Sequence, residues 1–388
     1  MIQNSQTLIF PSQRAFRDSI QMSLSDLTLV IPAYNRPAYL ERQIDYWKDS
    51  GVNLCILDGS KEPAPNELIA RMGENIHYEF NPIGFNDRLV HAASVVKTKY
   101  VALLGDDELY AKQGLRDCLD LLDSDPRLIG CVGRSLFFFH REGEIYAHQV
   151  YGNSQDIENM YGNHLERLRS SFPSGDPSGA PYLLYGVFRR DQWNTMFTNA
   201  YARHYSSGYA YELALLMIGA CLGPTKMVDS LVWFRSGENP AMSSAAVNRS
   251  IGMGEWGTAV EYLSEYEDFV ERITSVIGDI GTDSKIEIEK AVRGVSQQFF
   301  NYSVHKPYRP IAYWHRTLYY MARKTPTWVK RLLKRKMSKT LRNVLDYKGV
   351  AFKDALKQLH GAGVSFDENE MREMHSFLLK FHENKTAN

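Results

Sequence analysis

Three consecutive acidic residues, Asp106, Asp107 and Glu108, follow an apolar run that begins at Tyr100. A short run of valine, leucine and aromatic residues is typical of a buried strand in a parallel sheet. Ligands of open α/β sheets gather at the carboxyl ends of such strands. Adjacent carboxylates raise one another's pKa values unless a cation offsets their charge. The cluster therefore indicates either a site for Mn²⁺ or Mg²⁺, which prefer oxygen ligands, or an acidic loop that is merely solvated.

Strand and helix patterns alternate before this cluster. Strands are predicted over 27–31, 52–57, 76–80 and from Tyr100, with helices over about 38–50, 67–72 and 84–96. Pro32 is expected to stop the first strand, because proline has no amide N–H for the strand ladder. Four strands that alternate with helices predict a doubly wound α/β sheet.

The chain beyond the cluster continues with both kinds of element. We predict a helix over 113–124, strands over 128–133, 136–140, 145–150 and 183–188, a helix starting near Asp191, and a mostly apolar helix over 208–222. From about Ile251 the strand patterns fade. The expected organisation is an N-terminal extension over 1–26, an α/β domain over 27–250 and a helical C-terminal region over 251–388.

Composition limits the class of protein. Of 388 residues, 44% are hydrophobic and 23% are charged, which is an ordinary globular composition. The formal net charge of zero argues against a globally basic nucleic-acid binder. The four cysteines are far apart and form no C-x-x-C, so neither a zinc site nor a disulfide framework is expected. Neither a secretory signal nor a membrane-spanning run is apparent, and a cytoplasmic location is expected.

A basic segment over 316–342 lies in the C-terminal region and contains Trp328 and the run Lys330–Lys336. Basic residues interleaved with tryptophan and leucine can lie on an anionic membrane surface. They can also bind nucleic acid, or simply form a solvated helix face. The sequence leaves these three interpretations open, and peripheral membrane contact is the functional one that we retain.

Three motifs, each at the end of a predicted strand, carry a resemblance to a known family. They are VIPAYNR over 30–36, LDGS over 57–60 and LLGDDE over 103–108. In this order and spacing they resemble the large family 2-type glycosyltransferases, inverting enzymes that use nucleotide-diphosphosugars. The resemblance covers about residues 27 to 240. It implies a GT-A fold, which is a Rossmann-like, doubly wound mixed sheet, here followed by the helical C-terminal region.

The resemblance also implies which residues hold the donor. Pro32, Tyr34, Arg36 and Asp58 would hold the base and ribose, since tyrosine can stack on a base and aspartate can accept from a base N–H. The family's acidic motif binds ribose and a divalent cation, Mn²⁺ or Mg²⁺. The position of its usual first aspartate is taken either by Gly105 or, in the other register, by Asp106 of the run Asp106–Glu108.

Within the acidic cluster, Asp107 is then the expected main metal ligand. Asp106 is expected to face the ribose, and Glu108 to assist at the metal.

A carboxylate about one hundred residues later serves as the family's catalytic base, and Glu212 falls there. One base is sufficient for an inverting displacement, although an acid near a helix start is also favoured by the helix dipole alone. Arg235 is the corresponding candidate for contact with the diphosphate, or else a surface arginine.

The function implied is transfer of a sugar to the hydroxyl of an unidentified glycan or lipid-linked acceptor, in polysaccharide or glycoconjugate synthesis. The alternative is a non-catalytic protein that binds sugar nucleotides or supports assembly on the same fold. The stretch 252–257 formally matches the dinucleotide pattern G-x-G-x-x-G, but it follows polar residues rather than a strand, so it is treated as chance.

Overall fold

A mixed β-sheet forms the centre of the protein in a computed structural model that describes residues 23–150, 162–170, 184–239, 251–305 and 349–387. Within these residues the sheet has ten strands, with helices on its faces. The doubly wound mixed α/β sheet expected from the sequence is confirmed, as is a helical C-terminal region. Most of the N-terminal extension and the whole basic segment 316–342 lie outside the described residues.

The first half is the predicted alternation of strands and helices. Its elements are β1 (Leu27–Ala33), α1 (Pro37–Trp47), β2 (Asn53–Asp58), α2 (Asn66–Ile69), β3 (Ile76–Phe80), α3 (Phe85–Val95) and β4 (Tyr100–Leu103). These strands are parallel in the order β3-β2-β1-β4. Their carboxyl ends therefore meet at one edge of the sheet.

β1 continues two residues beyond the predicted stop, so the expectation that Pro32 ends it is wrong. Val30 O accepts from Leu104 N–H at 2.9 Å on the β4 side, and Ala33 O accepts from Gly59 N–H at 3.0 Å on the β2 side. Backbone groups of a strand alternate between its two sides, so Pro32 faces the β4 side again. Because β4 has already ended there, the missing N–H removes no ladder bond.

The second half adds antiparallel strands to the same sheet. Its elements are β5 (Leu109–Tyr110), α4 (Lys112–Ser124), β6 (Gly130–Arg141), β7 (Glu144–Val150), α5 (His164–Ser170), β8 (Val187–Arg189), α6 (Arg190–Tyr201), α7 (Gly208–Leu222) and β9 (Thr225–Ser236). β8 runs antiparallel between β4 and β6, whereas β9 runs parallel to β6. The helix predicted over 208–222 has the observed bounds.

The two strands predicted over 128–133 and 136–140 are one strand, β6, and the predicted break between them is wrong. Pairing with β9 continues through this region, with its register shifted between Val132 and Ser135. Gly133 permits this close approach, because a Cβ atom at this position would lie 2.1 Å from a methyl carbon of Val232. The glycine thus marks a tight packing contact rather than a loop.

Hydrophobic residues on the two faces of the sheet form separate cores. In β1, Leu29 and Ile31 pack with α1 and α4 on one face, while Val30 packs with α3, α6 and α7 on the other. The same alternation buries both faces of the central strands, which makes the sheet the middle layer of three.

The C-terminal region is helical but also joins the sheet. Its elements are α8 (Met253–Thr258), α9 (Leu263–Gly278), α10 (Lys285–His305), β10 (Val350–Ala351), α11 (Phe352–Gly361) and α12 (Glu368–Ala387). β10 pairs antiparallel with β7, and α11 and α12 pack on the sheet through a third core that includes Phe234, Phe352 and Met371. Among the helices that the structure describes, none is long and apolar enough to cross a membrane.

α12 also supplies the cap of a distant helix. α4 begins after Ala111, whose side chain has no group that could cap it. Instead, the carboxylate of Glu370 accepts from Lys112 N–H and, at 3.1 Å, from Gln113 N–H. The first N–H groups of a helix lack partners within the helix, so this contact ties the end of the chain to the α/β core.

Replacing Glu370 with alanine is expected to lower the free energy of unfolding by about 1 kcal/mol, the usual contribution of a helix cap. Urea unfolding followed by circular dichroism measures this change. Glu368→Ala is the matched control, since Glu368 lies in the same helix and its side chain is exposed. Equal unfolding midpoints for the two variants would show that the cap contributes nothing.

Candidate active site

The acidic residues 106–108 form a tight turn at the carboxyl end of β4. The bond from Leu104 N–H to β1 extends the pairing one residue beyond the strand. Glu108 N–H then donates to Gly105 O at 3.1 Å, which closes the turn. The three acidic side chains therefore lie at the edge of the sheet where the sequence predicts a ligand.

Gln43, fully buried in α1, holds the backbone of this turn. Its Nε2 donates to Asp106 O at 3.0 Å and to Glu108 O at 2.6 Å. Its Oε1 in turn accepts from Trp47 Nε1 at 2.9 Å. Buried carbonyl groups outside a strand ladder need side-chain or water partners, and Gln43 supplies two of them at once.

Asp106 is buried and paired with Arg36, the residue that precedes α1. Arg36 Nη1 donates to Asp106 Oδ1 at 2.8 Å. Burial and the neighbouring Asp107 raise the pKa of Asp106 to about 6, while Arg36 opposes the shift. The carboxyl group therefore stays mostly ionised at pH 7.

Asp107 is the most accessible of the three acids, and its side chain is 14% exposed. Asn239 Nδ2 donates to Asp107 Oδ2 at 2.9 Å, and Arg36 Nη1 lies 3.6 Å from the same oxygen. The carboxylate is thus held in place but remains open to solvent. Of the three acids, it is the best placed to meet a cation or a ligand.

Glu108 turns away from solvent and packs back over the turn. Its Oε2 accepts from Trp233 Nε1 at 3.1 Å and from Gly105 N–H at 3.3 Å. Burial and then the charge of Asp107 raise the pKa of Glu108 to about 8, so it holds a proton at neutral pH. A Cβ atom at position 105 would lie 2.9 Å from the carboxyl carbon of Glu108. The Glu108 side chain therefore occupies the space that a larger residue at 105 would need.

A cavity of about 360 Å³ opens beside the acidic turn. Its lining combines acids and cations with aromatic rings, and includes Pro32, Arg36, Phe85, Asp106, Asp107, Glu108, Phe137, Tyr185, Arg235 and Asn239. Tyr185 and Trp233 stack at a centroid distance of 4.0 Å. The cavity thus presents carboxylates and guanidinium groups next to aromatic surface, which is suited to a ligand with a charged group and a ring.

Two of the residues expected to contact the nucleotide lie outside this lining. Tyr34 is 41% exposed after β1. Asp58 is buried, and its carboxylate accepts from Ser60 N–H at 3.0 Å, from the Ser60 hydroxyl, and from Tyr78 OH at 2.8 Å. The nucleotide role of Asp58 stays a prediction, because a base N–H would have to compete with these partners.

Arg235 and Glu212 belong to the same electrostatic neighbourhood. Arg235 lines the cavity, and its charge lowers the pKa values of both Glu108 and Glu212. Burial nevertheless raises the pKa of Glu212 to about 7. Glu212 itself is absent from the cavity lining, and within the described residues it has no hydrogen-bond partner. Glu212 is half-buried, and a partly desolvated acid with a raised pKa and no such partner is a candidate for a functional role.

Residues 28–180 match the family described as Glycosyl transferase family 2. No curated protein sequence matches the chain. Among solved structures, it is similar to crystal structures of S. aureus TarS 1–349. The first has a TM-score of 0.45 and 11% identity, and the match covers 75% of this chain and 78% of that chain. The second, in complex with UDP-GlcNAc, has a TM-score of 0.45 and 10% identity, with 79% and 83% covered.

The acidic turn could hold a divalent cation that a bound ligand helps to coordinate. Within the described residues, no three His, Cys, Asp or Glu side chains converge to form a complete protein cage. Mg²⁺ and similar ions are commonly held by one or two carboxylates, with substrate phosphates completing the shell. Asp107, with Asp106 beside it, fits this arrangement. The predicted contribution of Glu108 stays a prediction, since its carboxyl group is engaged with Trp233.

Several residues that shape the candidate site were not among those selected from the sequence. Arg42 and Gln43 sit within α1, where a polar residue normally indicates a solvent-facing position, yet both are buried. Arg88 is also buried, and it donates to Ala33 O at 2.6 Å and Leu57 O at 2.7 Å. No sequence pattern marks Asn239 as a site residue, because its contact with Asp107 depends on β9 lying beside the acidic turn.

The protonated state of Glu108 predicts a specific dependence of stability on pH. The folded protein keeps this proton up to about pH 8, whereas the unfolded chain releases it near its ordinary pKa of 4.5. Unfolding thus becomes easier as pH rises between these values, by at most about 1.4 kcal/mol per pH unit. Glu108→Gln removes this dependence, so its free energy of unfolding should rise relative to the wild type between pH 5 and pH 8.

Urea unfolding at several pH values, in the presence of EDTA, measures this difference. Glu62→Gln is the control, because Glu62 is an exposed carboxylate in the loop after β2. Parallel pH curves for the wild type and Glu108→Gln would mean that Glu108 is ionised in the folded protein.

Proposed function

We propose that the protein is a metal-dependent glycosyltransferase that transfers a sugar from a nucleotide-diphosphosugar to an acceptor hydroxyl with inversion. The supporting observation is the cavity of the family 2 domain, where the accessible carboxylate of Asp107 and the cations Arg36 and Arg235 line one space. A diphosphate with a divalent cation combines negative oxygens with a metal, and this lining offers partners for both.

Asp107 would hold Mn²⁺ or Mg²⁺, with Asp106 beside it. When bound, the cation supplies charge stabilisation to the departing diphosphate. Arg36 pairs with Asp106, lies close to Asp107 and lines the cavity, so its positive charge would lie near the donor's phosphates. Arg235 would stabilise the diphosphate from another part of the cavity lining.

Glu212 is the proposed base that takes the proton of the acceptor hydroxyl. As this proton leaves, the hydroxyl oxygen attacks the anomeric carbon, the bond from that carbon to the diphosphate oxygen breaks, and the nucleoside diphosphate departs with the bonding electrons. The pKa of about 7 that burial gives Glu212 suits this task near neutral pH. Attack from the face opposite the leaving group gives inversion.

The acceptor is proposed to be a glycan or a lipid-linked molecule, and the location to be cytoplasmic. The basic segment 316–342 would bring the enzyme to an anionic membrane surface. Binding to anionic vesicles that weakens as salt increases would support this contact, and a complete lack of binding would exclude it.

Replacing Asp107 with alanine should weaken Mn²⁺-dependent binding of a nucleotide donor by at least about tenfold, because one of few metal ligands is lost. Isothermal titration calorimetry with UDP and UDP-GlcNAc, with and without Mn²⁺, measures this effect. Those probes are the ligands in the similar TarS structures. Asp49→Ala removes an exposed carboxylate after α1 and serves as the control. Unchanged affinity in Asp107→Ala would remove Asp107 as the metal ligand.

Replacing Glu212 with glutamine should leave donor binding intact and reduce turnover by about 10²- to 10⁴-fold, the usual contribution of a general base. In the wild type, kcat should rise with pH through about 7, because the base must be ionised. Asp191→Asn is the control, since it also removes an acid from the first turn of a helix, and Asp191 is 76% exposed.

For both variants, turnover is measured as the release of nucleoside diphosphate during hydrolysis or transfer of the donor sugar. Near-normal turnover in Glu212→Gln would reject Glu212 as the base. A wild type that binds the donor but never releases nucleoside diphosphate would instead favour the non-catalytic binding protein.

A further inference from the structure

A fully buried ion pair lies next to the acidic turn. Arg42 Nη1 donates to Glu238 Oε2 at 2.8 Å, and the exposed fractions of the two side chains are 0% and 3%. Arg42 comes from α1, whereas Glu238 follows β9. Burial alone would raise the pKa of Glu238, but a hydrogen bond from His382 and the charge of Arg42 lower it overall. The pair is therefore ionised.

Arg42 contacts Asp107 directly, and Glu238 is linked to Asp107 through the next residue of the chain. Arg42 Nη2 donates to the backbone carbonyl of Asp107 at 2.6 Å. Asn239, the residue after Glu238, donates to Asp107 Oδ2 at 2.9 Å. The ion pair thus restrains the backbone of Asp107 through Arg42. It also restrains the carboxylate of Asp107 through the side-chain amide of Asn239, which follows Glu238.

α12 completes this cluster from the C-terminal end of the chain. The His382 Nε2 atom is hydrogen-bonded to Glu238 Oε1, and His140 stacks on His382 at a centroid distance of 4.0 Å. The guanidinium carbon of Arg42 lies 4.7 Å from the ring centroid of Phe381 and 4.6 Å from that of Tyr39. His382 therefore restrains the carboxylate of Glu238, which in turn fixes the guanidinium group of Arg42.

We propose that His382 is a positioning residue for Asp107, so that the C-terminal helix is a working part of the donor site. His382 acts through Glu238 and touches no ligand itself. α12 lies outside residues 28–180, the segment that matches the family. The inference rests on the proposed function only in assigning the cation to Asp107, because the hydrogen-bonded chain from His382 to Asp107 is independent of any ligand.

Second-sphere partners of this kind typically change metal affinity by about 10- to 100-fold. His382→Ala should therefore raise the dissociation constant for Mn²⁺ about tenfold, as measured by electron paramagnetic resonance with Mn²⁺ alone. His382→Gln should recover most of the affinity, since its side-chain amide can still donate to Glu238.

His375→Ala is the matched control. His375 lies two turns earlier in α12, and its Nε2 atom contacts another glutamate, Glu144, at 3.1 Å. It also stacks on Phe352, away from the acidic turn. The control thus removes a His–Glu contact from the same helix without touching the chain that leads to Asp107, and its Mn²⁺ affinity should equal that of the wild type.

Hydrogen exchange followed by mass spectrometry supplies a readout that needs no ligand. The backbone amides of residues 104–109 should exchange faster in His382→Ala than in His375→Ala, because only the first variant loosens Arg42 and Glu238. If the wild type binds no Mn²⁺, the metal assignment of the proposed function fails. In that case the comparison of hydrogen exchange is the remaining test of the positioning role of His382.

Equal exchange in the two alanine variants would overturn the proposal, as would a folded His382→Ala that keeps wild-type Mn²⁺ affinity. Should His382→Ala fail to fold, Arg42→Lys tests the same chain. Lysine keeps the charge opposite Glu238 but lacks the planar fork that reaches Asp107 O as well. Faster exchange at 104–109 in this variant supports the proposal, and wild-type exchange overturns it.

Discussion

Repulsion between three adjacent carboxyl groups is the constraint around which the edge of the sheet is organised. Each group is accommodated differently. Asp106 is buried against Arg36, Glu108 keeps a proton and accepts from Trp233, and Asp107 stays accessible. The result is one available carboxylate flanked by two whose charge is already paired or suppressed. A cation brought by a ligand would then meet a single defined partner rather than a diffuse acidic surface.

Side chains at the start of helix α1 and within it make most of the hydrogen bonds that hold this turn. Arg36 precedes the first residue of the helix, and Arg42 and Gln43 lie in its second turn. Their side chains reach a carboxylate and three backbone carbonyls of residues 106–108. The polar groups sit under the turn while Leu40 and Ile44 pack into the core. One helix therefore anchors the sheet and also fixes the geometry of the acids.

The sequence was sufficient to predict the parallel half of the sheet and the acidic turn, because both depend on local patterns. Apolar runs give the strands, and the chemistry begins where they stop. The sequence also predicted the apolar helix that carries Glu212 near its start, whereas the role of Glu212 as a base stays a prediction. The joining of two predicted strands into β6 was missed, since a glycine that allows close packing resembles a glycine in a loop.

The rest of the site depends on contacts between distant parts of the chain. Arg42 and Glu238 are separated by 196 positions, and Glu238 and His382 by 144. In a sequence, each of these residues is typical of a solvated surface. Only the packing of β9 and α12 beside α1 brings them together and buries them. The Glu370 cap on α4 has the same origin, because its donors are ordinary backbone amides that carry no sequence signal.

The contact between Gly105 and Glu108 couples the size of the residue at position 105 to the orientation of the acid at position 108. The carboxyl group of Glu108 fills the volume that any side chain at 105 would enter. A side chain at position 105 would therefore require the carboxyl group of Glu108 to move from its present place beside Trp233. A displaced carboxyl group would lose the hydrogen bonds from Trp233 Nε1 and Gly105 N–H. The glycine thus permits the one packing in which the third acid of the turn is turned away from the ligand.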